Sequence, residues 1–301
     1  MNRRERGGLI AAVIGNGIFG FSFMFSRMAL EVTNPPILLM YRFVIAFVLI
    51  NLVALWANKS GRTGWLRFQL RAKDAVSLLP LGICQPVIYF LCENYGVSLT
   101  NSTVSGVIIA LIPIAALGMG ALFLKEYPKP AQIFFALLSI AGVTVLTLQQ
   151  SAQGDVKALG VLLLLGAVFI GVIYNIISRK TSERFSALER TYVMMGLGAA
   201  AFTLLAVCQN LSAPMALVRP LGKPQFLLSL TYLSGLSSIV AFLMLNYANS
   251  ELPIARATAF CNLTTVISVF AGVIFLGEPF EWVSLIASVV IIAGVWGVQK
   301  G

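Results

Sequence analysis

Asn94-Tyr95-Gly96 returns 152 residues later as Asn246-Tyr247-Ala248. Phe123-Leu124-Lys125-Glu126 returns at the same spacing as Phe275-Leu276-Gly277-Glu278, and Ile140-Ala141-Gly142-Val143 returns as Ile292-Ala293-Gly294-Val295. Ser26-Arg27 and Ser178-Arg179 share the offset. A constant offset across two long apolar runs and the turn between them is the signature of an internal duplication. Apolar segments resemble one another by composition, so the signal rests on the fixed register around a polar Asn-Tyr and a Glu turn. The chain divides on this reading into a first repeat, 1–150, and a second, 151–301.

The repeated material is apolar. Hydrophobic residues make up 58% of the chain and charged residues 11%, against about 25% charged in a soluble protein. So few polar groups cannot cover a surface in water, which makes lipid the expected solvent. Ten apolar spans can be drawn, at about 9–30, 36–57, 75–96, 103–124, 131–149, 158–178, 188–208, 226–247, 255–276 and 282–299. Stretches near 20 residues cross a hydrocarbon core of roughly 30 Å as helices. Arg3, Arg4 and Arg6 resemble the start of a signal peptide, but the run from Leu9 to Leu30 is too long for one. The expected fold is therefore an all-α integral membrane protein with ten transmembrane helices.

Lysine and arginine set the orientation. With the N-terminus in the cytoplasm, fifteen of the 21 basic residues fall in inside segments. Three, Lys157, Arg219 and Lys223, fall outside, and Arg27, Arg42 and Arg256 stand at span ends. An even number of spans returns the C-terminus to the cytoplasm. Each repeat holds five spans, an odd number, so the second enters the membrane from the opposite side. Glu126 then ends its span inside and Glu278 outside. Two inverted five-helix repeats can exchange conformations, which provides an inward-open and an outward-open state from one sequence. The expected location is the cell (inner) membrane.

At this point the first repeat resembles the EamA-type domain of the drug/metabolite transporter superfamily. The resemblance rests on Phe19-Gly20, Ser26-Arg27, Pro35-Pro36, Tyr41-Arg42-Phe43, Ser105, Leu111, Ile112-Pro113, Lys125-Glu126 and Ile140-Ala141-Gly142-Val143. The second repeat is similar through Ser178-Arg179, Ala255, Ala257, Leu276-Gly277-Glu278 and Ala293-Gly294-Val295. It implies an exporter with a central cavity lined by both repeats, moving amino acids, related metabolites or drugs. Nucleotide-sugar exchangers share the plan more distantly. One departure is Thr265, which stands where the family has a proline, opposite Pro113.

Polar side chains inside spans are costly, so each needs a reason. Gln85, Tyr89 and Glu93 stand at i, i+4 and i+8, on one face of the third span. Pro80 and Pro86 in that span can free carbonyls toward a polar interior. Asn16 and Phe19 lie one turn apart in the first span, Tyr174 near the inner end of the sixth, and Asn262 in the ninth. Ser237 is the repeat partner of Gln85. These eight are the candidate substrate contacts. Arg42 and Arg256 are expected to snorkel from helix ends, since a mid-membrane arginine costs at least about 2.5 kcal/mol.

Several functions are excluded. The net charge of +10 reads as basic loops rather than a nucleic-acid surface. The chain has no histidine, which removes the usual metal ligand and catalytic base. Cys84, Cys92, Cys208 and Cys261 form no C-x-x-C pair and are expected as small buried hydrophobes. No phosphate-binding loop, catalytic cluster or selectivity-filter run is present, so no cofactor, metal site, enzyme activity or channel is expected. The expected partners are a small-molecule solute and the bilayer. Protons are a candidate coupling ion acting through Glu93, and uncoupled facilitated export fits equally well.

Overall fold

The computed structural model describes residues 3–119, 129–152, 156–252, 260–277 and 282–300. Among them the chain is helical, with no strand. A backbone in hydrocarbon has no water to bond, so each segment satisfies its own N–H and C=O groups as a helix.

Helix α1 spans Arg3–Leu30 and α2 spans Pro35–Lys59. Asn34 fixes the start of α2: its Oδ1 accepts from the Ile37 N–H at 3.1 Å. Pro35 and Pro36 occupy the first turn, where a missing N–H costs nothing. Helix α3 is built from Leu79–Gly82, Ile83–Ile88 and Tyr89–Ser98. Its middle piece is a wide π-type stretch in which Gln85 leaves helical geometry, at φ −142° and ψ 114°. Helix α4 runs Ser102–Ile109 and resumes at Ile112–Met119. The break precedes Pro113, whose ring would clash with the carbonyl four residues back, on Ile109.

Helix α5 is Pro130–Ala152 and α6 is Ala158–Thr181. Helix α7, Ala187–Gln209, opens with a capping box. Ser186 Oγ accepts from the Glu189 N–H at 3.1 Å, and the Glu189 carboxylate accepts from the Ser186 N–H at 2.8 Å. Helix α8 is again in three pieces, Pro224–Thr231, Tyr232–Ala241 and Phe242–Glu251, with a π-type middle. Helix α9, Cys261–Leu276, ends at Gly277, which takes the left-handed conformation at φ 62°. Helix α10 is Trp282–Lys300. Glu126, Arg256 and Glu278 lie outside the described residues.

Among the described residues five stretches are long and apolar enough to cross a membrane: Arg4–Leu30, Pro35–Lys59, Ala158–Thr181, Ala187–Gln209 and Pro224–Glu251. Large apolar side chains such as Val48, Leu55, Phe134, Leu204 and Phe270 face outward, while Asn16, Arg42, Glu93, Arg190 and Asn246 are buried. That distribution suits a multi-pass membrane protein, whose solvent is lipid. Cys208 is exposed rather than buried. A hydrocarbon solvent lets an apolar side chain face outward at little cost, which the sequence reading of the cysteines overlooked.

The contacts repeat with the sequence. Gly160 on α6 faces Leu99 and Thr100, and Gly8 on α1 faces Glu251 and Leu252. Gly142 on α5 faces Ala287 and Ile291 on α10, and Gly294 on α10 faces Phe135 and Ser139 on α5. A shift of 152 residues turns each contact into its partner, as a two-fold relation between like surfaces requires. Hydrogen bonds follow the same rule. Arg27 donates to Val97 O at 3.3 Å and Ser98 O at 3.5 Å, at the C-terminus of α3. Arg179 donates to Asn249 O at 3.0 Å and to Ser250 O, at the C-terminus of α8. Each arginine satisfies carbonyls that the helix end leaves open.

A Cβ at Gly294 would stand 2.1 Å from Ser139 Oγ and 2.7 Å from the Phe135 carbonyl. Gly294→Val is therefore expected to lower the thermal unfolding midpoint by an overpacking cost of about 1–3 kcal/mol. Gly142→Val is expected to act alike, since its Cβ would meet Ile291 at 2.7 Å. Gly235→Ala, with nothing within 4 Å of the new atom, serves as the control. An unchanged midpoint in both valine variants would contradict close α5–α10 packing.

Candidate functional site

The two helices with π-type middles, α3 and α8, face a common space with α1, α2, α4, α6 and α9. A cavity, partly open to the outside, lies there. Its lining includes Asn16, Phe19, Arg42, Gln85, Tyr89, Phe90, Glu93, Tyr174 and Thr264. Residues from both halves of the chain contribute.

Six of the eight sequence candidates meet at this cavity: Asn16, Phe19, Gln85, Tyr89, Glu93 and Tyr174. The break at Gln85 does not scatter the α3 trio, because Tyr89–Ser98 resumes regular helix immediately below it. Asn16 is largely engaged by protein. Its Nδ2 donates to Ala12 O at 2.8 Å, and Thr264 Oγ1 donates to Asn16 O at 3.0 Å, tying α1 to α9. Tyr174 donates to Asn246 Oδ1 at 3.2 Å. Ser237 is not among the residues lining the cavity. The side chain of Asn262 lies outside the described residues.

Arg42 corrects the sequence reading. It does not snorkel from a helix end; its side chain is 0% exposed and lines the cavity. The start of α2 at Pro35 places it two turns into the helix. Its Nε donates to Ser238 Oγ at 2.9 Å and its Nη2 to Ser237 Oγ at 2.8 Å. Its guanidinium lies 4.3 Å from the centroid of the Phe90 ring, within cation–π range. Ser237 thus acts on the cavity through Arg42, and it also accepts from Ser22 Oγ at 2.9 Å. The Asn34-Pro35-Pro36 start was the signal that could have located Arg42.

Phe242 on α8 packs against the aromatic lining without itself facing the cavity. Its ring meets Phe19 edge-on at 5.2 Å and lies 6.0 Å from Phe90. Beside the cavity a polar cluster ties α6, α7 and α8. Arg190 donates to Ser178 O at 2.8 Å, Ser178 Oγ at 2.7 Å and Asn246 O at 2.7 Å, and also to Ser250 Oγ. Asn246 Nδ2 donates to Thr191 Oγ1 at 3.0 Å. Sequence reasoning missed Arg42 and Asn249 as lining residues, and it counted Arg190 among the basic residues of the cytoplasmic segments, where the structure buries it among α6, α7 and α8. It noted Thr264 only as part of a polar patch.

The chain is similar to known proteins over nearly its whole length. "Uncharacterized transporter YcxC" of Bacillus subtilis (strain 168) is 32% identical over 291 residues, 96% of this chain and 91% of that protein. A "Probable terminal-alkyne amino-acid exporter" of Streptantibioticus cattleyicolor is 24% identical over 234 residues, 76% of this chain and 75% of its own length. A solved crystal structure, 20% identical, aligns over 95% of this chain and 94% of its own with a TM-score of 0.65, which shows a shared fold. The model of the EamA-like transporter family matches twice, at residues 6–148 and 158–299. With both halves matched, this chain belongs to the EamA-like transporter family and is a membrane transporter rather than an enzyme.

Proposed function

We propose that this transporter exports small organic solutes, amino acids or close relatives of them, by alternating access through the central cavity. One observation carries the reading: the cavity is drawn from both halves of a duplicated chain and joins aromatic walls to a few convergent polar groups. Pockets of that composition hold small ligands. In this account ten helices cross the cell membrane as two inverted five-helix repeats, with both termini cytoplasmic. The relative named as an amino-acid exporter supports the solute class. The matched contacts at a 152-residue shift support halves that can exchange conformations. Glu93 is the acid among the described lining residues, and so the group through which a proton gradient would act.

The test is counterflow of labelled amino acids in proteoliposomes. At least one is expected to show saturable exchange. Tyr89→Ala is expected to raise its half-saturating concentration about tenfold, the equivalent of roughly 1.4 kcal/mol of lost contact. Flux that does not saturate, or a Tyr89→Ala variant with wild-type kinetics, would contradict the reading.

A further inference from the structure

Among the described residues two arginines are fully buried, and they differ in one respect. Arg190 directs its donors to oxygens of Ser178, Asn246 and Ser250. Arg42 has two hydroxyl partners, Ser237 and Ser238, and its Nη1 has none. Glu93, 4% exposed, lines the same cavity, and its Oε2 likewise has no hydrogen-bond partner. Among the described residues neither side chain has an oppositely charged partner within 4.0 Å.

An unpaired buried charge is expensive, and an unmet charged donor more so. A donor pole and an acceptor pole left open in one cavity are complementary to a ligand that carries both charges. The serines and the Phe90 ring hold the guanidinium by its other atoms and face. Its Nη1 is thereby preorganised for an anion, at little ordering cost on binding. The aromatic rings of Phe19 and Phe90 lie in the same lining and suit the apolar remainder of the ligand.

We propose that Arg42 receives the carboxylate of the solute and Glu93 its ammonium, so that the cargo is zwitterionic. This rests on the transport reading above and adds the two recognition contacts. A solute with one charge alone leaves the other pole unpaired and is rejected by the penalty of that pole.

The test compares, on the wild-type protein in proteoliposomes, counterflow of the twenty labelled amino acids with inhibition by their decarboxylated amines and deaminated acids. The transported amino acid is expected to be inhibited by other zwitterions and at least tenfold less by its own amine or acid. Glu93→Gln is expected to erase the preference for the zwitterion over the deaminated acid. Arg42→Lys is expected to keep part of the transport, because it keeps the charge but not the planar fork. If the amine or the acid matches the zwitterion, the two-pole assignment is overturned while transport stands. If no labelled amino acid shows counterflow, the amino-acid export reading above falls as well.

Discussion

Arg42→Ala is expected to abolish measurable counterflow while the protein still folds. Removing one partner of a desolvated charge contact costs roughly 2–5 kcal/mol. At 1.4 kcal/mol per factor of ten, affinity falls by about 30-fold at the least. The fold survives because the groups left behind, Ser237 and Ser238, are hydroxyls in helix interiors. Such hydroxyls can turn to carbonyls of their own helix. The check is transport in proteoliposomes beside thermal unfolding in detergent. Retained transport with a folded protein would remove Arg42 from the site.

Arg190→Ala is expected to do the opposite and lose the fold. The guanidinium ties Ser178 on α6 to Asn246 and Ser250 on α8 from its place on α7. Without it the buried carbonyls of Ser178 and Asn246, both 0% exposed, lose their charged donor. Breaking such a network costs about 3–5 kcal/mol, a large part of the 5–15 kcal/mol by which a domain is usually stable. The expected readout is a strongly lowered unfolding midpoint and loss of a monodisperse detergent peak. Arg190→Lys is expected to rescue little, since a single ammonium cannot reach several oxygens at once. A normal midpoint in Arg190→Ala would contradict the network's role.

Much of the helical plan was legible because lipid imposes it. Uncharged runs near 20 residues have one backbone solution, and turn chemistry at Asn34-Pro35 and Gly277 marks their ends. The offset of 152 was legible as well, and it returns in the contacts of Gly142 and Gly294 and in the bonds of Arg27 and Arg179. The break at Gln85 was half legible: Pro86 announced a disturbance, but not which residue leaves the helix. The buried arginines were not legible from composition. Charge counting sorts arginines by side of the membrane and is blind to what they meet. Ser237 and Ser238, 195 and 196 residues from Arg42, are partners that only the packed helices supply. Ser237 was singled out by its register with Gln85, yet its place in the structure is one step behind the cavity wall.

Alternating access is tested most directly by asking from which side the cavity can be reached. Gly171 lines it, and the nearest atoms to a Cβ there are Ile112 Cδ1 at 3.2 Å and the Tyr89 ring at 3.4 Å. Ile112 Cδ1 is the far end of a flexible side chain. With Cys84, Cys92, Cys208 and Cys261 replaced, Gly171→Cys offers one thiol to a membrane-impermeant reagent in right-side-out and inside-out vesicles. The account predicts labelling from both sides, slowed from both by the transported amino acid. Labelling from one side alone, unmoved by solute, would contradict a cavity that faces each side in turn.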